Sequence, residues 1–448
     1  MEKLEKTPRR LRGFGAVVRV GRDLGDRFGP EVFEFYWWRS KAIEGFWFLS
    51  LVALNIYQVH SFLGSKFVHS FSAPLIPFLA EIASFVFSLP FDAAISTVIL
   101  IFYILGPLSL YFLVKEVTKR LLPAIAAALL FSSPFFKSRL LAVIFYGDGA
   151  HIAGLTLIPL VAYLVLRFLR SGSFPLCIAA SLGITLVALI SPFSLFVCLV
   201  FLVIIVSSEV LLNQGRLKLF RLITTLVLAA GFSAFWYNPE FIYHVLLSGQ
   251  GKEAIATLFN LFPISFFVVP VIGTFGFLLF AKKPFLQPLF IALGLSIVFY
   301  LFSFAGRLSS SFFVSYPDRY LPELSFSLSF LLGIIITAVF DFLRMASKIG
   351  RFELKPLISR KVGFLFLLVV FLPLTLVFLR ERPSMETLAM VEGEKVLGAF
   401  SDDISGIGGV RSQSGQLARF FGYSITFLTG GMIWYLGKKK NGLAPKGS

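Results

Sequence analysis

Apolar residues run along this chain in blocks of about 20 with short polar interruptions, the pattern of segments that cross a bilayer about 30 Å thick. On that rule the blocks predict twelve helical spans, near residues 44–62, 93–114, 121–136, 152–168, 175–190, 193–212, 219–237, 261–281, 286–305, 323–343, 362–379 and 420–437. The stretch from Pro175 to Leu212 has room for one helix or two, with Ser191-Pro192-Phe193 as the place to break. Charge decides for two. With a break there, Lys115, Lys119 and Arg120, then Arg167 and Arg170, then Arg216, Lys218 and Arg221, then Lys282 and Lys283 all fall on one side. With one helix that asymmetry collapses. The predicted class is therefore all-α, a polytopic transmembrane helical bundle with cytoplasmic N- and C-termini in the cell membrane.

Composition agrees: 57% of the 448 residues are hydrophobic, 15% are charged, and mean hydropathy is +0.85, more apolar surface than one soluble core hides. The formal charge of +17 then reports topology and affinity for lipid headgroups, and no nucleic-acid partner is expected. Cys177 and Cys198 lie in apolar runs at no metal or redox spacing. The chain divides into an N-terminal cytoplasmic and interfacial segment (1–43), the helical membrane domain (44–379), an outer segment (380–419), and a final span with a basic tail (420–448). The first apolar run is expected to remain as a signal anchor, because charged residues precede it and no small-residue cleavage site follows.

Polar chemistry concentrates on the outer side of this topology. The first outer loop holds an apolar stretch, Ala73 to Leu89, broken by Pro74, Pro77 and Glu81, which reads as a surface helix. The second carries Gly147-Asp148-Gly149-Ala150-His151, the third begins at Trp236-Tyr237-Asn238-Pro239-Glu240, and the fourth reads Pro317-Asp318-Arg319-Tyr320. His60, His69, His151 and His244 all fall on this side. No two of them stand at a ligand spacing, so no cofactor is named, and a divalent cation shared with Asp148 is the one metal reading. Asp148, between two glycines, either approaches a ligand or caps the helix that follows. Arg319 either pairs locally with Asp318 or grips a phosphate with its fork of donors. No proposed span carries an ionisable residue near its centre, which argues against an ion-coupled carrier.

The long first outer loop, Asp92-Ala93-Ala94-Ile95, the Gly147 to His151 segment, the Ser191-Pro192-Phe193 break, Ala234 to Pro239 and Pro317 to Tyr320 follow one another in an order that resembles the GT-C superfamily of integral-membrane glycosyltransferases. The resemblance covers residues 44–343 and is closest to a prokaryotic branch of polytopic proteins with that layout. It implies transfer of a sugar from a polyprenyl-phosphate carrier to an acceptor on the outer face, with membrane lipids and a lipid-linked sugar as partners. The superfamily places an acid just after the first span. This chain offers Lys66 and His69 there, with Glu81 and Asp92 beyond. The resemblance accordingly assigns proton transfer to Asp148 first and His69 or Glu81 next, and the phosphate to Arg319, with Asp318, His151, Trp236 and His244 completing the substrate-binding set. A non-catalytic lipid- or polysaccharide-binding export component of the same fold is the alternative.

Overall fold

A computed structural model describes residues 41–62, 71, 73–133, 138–144, 146–212, 215–247, 286–308, 317–348 and 415–442. Among them the chain is helical throughout, with thirteen α-helices and no strand. The helices are α1 Lys41–Val59, α2 Leu75–Phe87, α3 Phe91–Thr118, α4 Leu121–Phe131, α5 Ser138–Ile144, α6 Gly149–Ser171 and α7 Phe174–Ile190. They continue as α8 Pro192–Leu212, α9 Gly215–Ser233, α10 Pro239–Leu247, α11 Gln287–Leu308, α12 Leu321–Lys348 and α13 Gln416–Gly442. Short 3-10 turns cover His60–Phe62 and Pro317–Tyr320. Two compact units divide the chain, Met1–Ser50 with Phe340–Val377 and Leu51–Val339 with Phe378–Ser448. Every contact described below lies within the second.

Among the described residues four helices are long and apolar enough to cross a membrane: α3, α6, α8 and the Leu321–Val339 part of α12. Leu75–Phe87, α4, α7 and Gln287–Ser303 are shorter apolar helices. The predicted spans at 261–281 and 362–379 lie outside the described residues. The break between α7 and α8 falls at Ser191, as charge required, and Pro192 occupies the first helical position, where its missing N–H is no loss. The predicted span 121–136 needs correction. α4 stops at Phe131 after eleven residues, about 16 Å at 1.5 Å per residue, and the chain resumes as the separate helix α5. The cause is local: Pro134 drives the residue before it out of helical geometry, and Ser132-Ser133 offers hydroxyls in place of apolar surface.

Hydrogen bonds fix the helix directions. Thr156 Oγ1 donates to the Phe102 carbonyl and Arg170 Nη1 to that of Glu116, both pairs 54 residues apart, so α3 and α6 run parallel. Ser181 and Thr185 donate to the carbonyls of Thr225 and Ala229, both 44 apart, so α7 and α9 run parallel. α8 lies against α6, α7 and α9, and α11 against α8 and α3. α12 packs on α4 where Gly333 meets the Pro123 carbonyl; a Cβ there would come within 2.7 Å of that oxygen. α13 docks on α9, with Thr426 Oγ1 donating to the Gly231 carbonyl at 3.1 Å.

One end of the bundle is clamped by charge. Glu209 at the end of α8 receives Arg170 Nε at 2.9 Å from α6, Lys218 Nζ at 2.8 Å from α9 and Gln287 Nε2 at 2.7 Å from α11. Glu116 of α3 also meets Arg170, at 3.3 Å. The last turn of α6 closes there as well: Gly172 takes the left-handed conformation at φ +67°, and Arg221 Nη1 donates to the Leu169 carbonyl at 2.6 Å. Five helix ends are thereby held level at the basic end of the bundle.

Candidate functional site

At the opposite end, three segments far apart in sequence converge. Gly147 turns the chain at φ +63°, which a glycine adopts without strain, and delivers Asp148 to the start of α6. Asp148 stands at the N-cap position, yet its side chain makes no capping hydrogen bond. Its carboxylate instead receives both arms of one guanidinium. Arg319 Nε donates to Oδ2 at 2.7 Å and Nη2 to Oδ1 at 2.8 Å. The capping alternative for Asp148 is thus overturned, because a bidentate charged pair outweighs a single bond to a backbone N–H. These two arms of Arg319 are turned on Asp148, from a 3-10 turn 171 residues away. The side chain of Asp318 lies outside the described residues. Asp148 is 6% exposed and Arg319 9%, so the pair is shielded from water.

A second pair sits beside the first. His151, one turn into α6, meets Glu323 of α12 through Nε2 and Oε1, and both side chains are fully buried. Its other ring nitrogen shares a hydrogen bond with Ser194 Oγ of α8 at 3.2 Å, while Ser194 reaches the His151 carbonyl at 3.4 Å. With Ser194 donating to that carbonyl, Nδ1 is the donor to Ser194, and Nε2 is left facing the Glu323 carboxyl. Ser194 can come this close because Gly154 leaves the space open; a Cβ there would overlap the serine.

Phe193 joins the two pairs. Its ring lies 3.9 Å from the Arg319 guanidinium carbon and 4.6 Å from the His151 ring, edge to face. Tyr320 closes the other side, 5.2 Å from Phe193 and 5.1 Å from Phe302. Burial pushes the Tyr320 hydroxyl well above its ordinary range, with Glu323 adding to the rise and Arg319 opposing it, so Tyr320 serves as a neutral wall.

No known protein family, no curated protein and no solved structure matches the chain. The site therefore rests on its own geometry. Of the predicted residues, Asp148, Arg319 and His151 come together. Glu81 is exposed on α2 and joins none of these contacts. Trp236 lies in the turn after α9, which Tyr237 ties to the same end of the bundle through the Ala188 carbonyl. His69 and the side chain of His244 lie outside the described residues. Among the described residues no three His, Cys, Asp or Glu side chains form a metal-binding group, so nothing here supports the divalent reading. Glu323, Phe193 and Ser194 were not singled out as site residues by sequence. An acid inside the first turn of an apolar helix was the available signal for Glu323.

Proposed function

We propose that the chain is an integral membrane protein of the glycosyltransferase kind, acting on a polyprenyl-phosphate-linked sugar at the end opposite its basic clamp. The carrying observation is the Asp148–Arg319 pair, buried at that end and assembled across 171 residues. In this reading the twelve-span, GT-C-like layout puts the basic end and both termini in the cytoplasm of a cell-membrane protein, consistent with the positive-inside rule. The carrier phosphate displaces Asp148 from the Arg319 fork, since both are oxyanions that the fork fits. The released carboxylate then takes the proton of the acceptor hydroxyl. The acceptor oxygen bonds to the anomeric carbon, the bond from that carbon to the phosphate oxygen breaks, and its electron pair leaves with the phosphate. Arg319 stabilises the second negative charge that develops there.

One observation favours a second reading, a non-catalytic component that binds the carrier without transfer: both Asp148 oxygens are occupied by Arg319. Reconstituted vesicles with a radiolabelled polyprenyl-phosphate hexose distinguish the two. Transfer predicts release of polyprenyl phosphate, reduced about 10²–10⁴-fold in Asp148→Asn with donor binding retained. Binding without turnover in the wild type leaves the second reading. Absence of both removes the lipid-linked sugar altogether.

A further inference from the structure

The bundle buries another cation, away from both the Asp148 site and the Glu209 clamp. Arg139, in the first turn of α5, is 1% exposed, and its guanidinium carbon lies 4.2 Å from the ring centroids of both Tyr103 and Phe131. Its Nη2 donates to the Tyr103 carbonyl at 2.6 Å. That carbonyl needs the donor, because the residue four positions on is Pro107, which has no N–H to complete the helical bond. Gly106 makes the space: a Cβ there would stand 2.5 Å from Nη2. Tyr103 in turn reaches Gln58 Oε1 at 3.4 Å, and Gln58 and Asn55 hold the Ser132 carbonyl and hydroxyl at the end of α4. Two polar atoms of this cluster are buried with no hydrogen-bond partner, Arg139 Nη1 and Asn55 Oδ1.

Depth makes the arrangement costly. Tyr103 is twelve residues from Phe91 and twelve from Lys115, about 18 Å from each at 1.5 Å per residue, so the charge sits halfway along α3. A guanidinium does not lose its proton in a protein, and among the described residues no carboxylate pairs with this one. The rings and the carbonyl orient it without neutralising it. A water on Nη1 would satisfy the N–H and leave the charge. An intramembrane cation without a counter-charge is the mark of a functional position.

We infer that Arg139 is a binding site for an oxyanion, a phosphate or carboxylate group carried by an amphiphile, with Nη1 as its donor. The amphiphile is favoured over a free anion because burial of its alkyl chain offsets the cost of bringing an oxyanion to a guanidinium halfway along α3, an offset a free anion lacks. This site stands apart from the Asp148 pair and does not depend on sugar transfer.

The test is thermal unfolding of the full chain, purified in neutral detergent and stripped of lipid. Dodecyl phosphate, dodecanoate, dodecanol and inorganic phosphate are titrated in parallel. The site predicts a saturable rise in midpoint with one or both dodecyl oxyanions and none with dodecanol or inorganic phosphate. In Arg139→Met the apparent affinity falls at least about tenfold, equivalent to about 1.4 kcal/mol. Gly106→Ala, which moves the guanidinium and keeps its charge, gives the same loss and decides the matter should Arg139→Met not fold. Equal stabilisation by dodecanol, an undiminished response in Gly106→Ala or Arg139→Met, or no response to either oxyanion in the wild type overturns the inference. A response to inorganic phosphate equal to that of dodecyl phosphate overturns the amphiphile as the source.

Discussion

Replacing Asp148 by Asn and Arg319 by Gln, singly and together, measures whether the end of the bundle opposite the basic clamp is as dry as its geometry implies. The two hydrogen bonds, 2.7 and 2.8 Å long, join groups 6% and 9% exposed. Charge centres about 4 Å apart attract by about 4 kcal/mol at an effective dielectric constant of about 20. Each single substitution strands a buried charge, which typically costs about 3–5 kcal/mol. Arg319→Gln also gives up the contact with the Phe193 ring, about 0.5–2 kcal/mol more. The double variant strands no charge and should lose little more than one single, leaving a coupling energy of about 3 kcal/mol. Denaturant unfolding in neutral detergent, followed by far-UV circular dichroism, reads all four corners of the cycle on one scale. Single losses below about 0.5 kcal/mol that simply add would mean a solvent-screened surface pair, and the convergence of α6, α8 and α12 around it would be wrong.

Three further outcomes follow from the same packing. Gly154→Ala should lose about 1–3 kcal/mol by driving a Cβ into Ser194, and should lose clearly less when made in a Ser194→Gly background; an equal loss in both backgrounds refutes the α6–α8 contact. Glu209→Gln should cost about 2–3 kcal/mol in the same unfolding assay, because it leaves Lys218 and Arg170 short of a counter-charge while Arg170 remains partly solvated; a neutral result would show that the clamp holds nothing. In a chain with the buried Cys177 and Cys198 changed to Ala, the exposed positions Ser88→Cys and Ser171→Cys should react with a membrane-impermeant maleimide from opposite sides, and labelling of both from one side contradicts the alternating topology.

What could be read from the sequence here is what is written locally. The break at Ser191 was legible because a proline at a helix start and the alternation of short basic loops both bear on a few neighbouring residues. Asp148, His151 and Arg319 stood out singly for the same reason, as polar groups beside glycines and prolines. Their pairing was not legible, since nothing local links residues 171 apart, and the N-cap alternative for Asp148 held only until a guanidinium came within reach. Counting charges by position in the apolar blocks failed in a more instructive way. Arg139 belongs to a loop by number, but its side chain is long enough to carry its charge to the middle of α3, the reverse of a residue that extends toward water. Two local signals marked that place. Pro107 leaves the Tyr103 carbonyl in need of a donor, and Ser132-Ser133-Pro134 ends α4 before it can cross, leaving a peptide carbonyl for Gln58. In apolar surroundings each such break obliges a polar side chain to come inside. Helix-breaking residues therefore point to buried chemistry in this chain better than an inventory of charges does, and Pro159, inside α6 one turn below the Gly154 contact, is the next position where that rule can be tried.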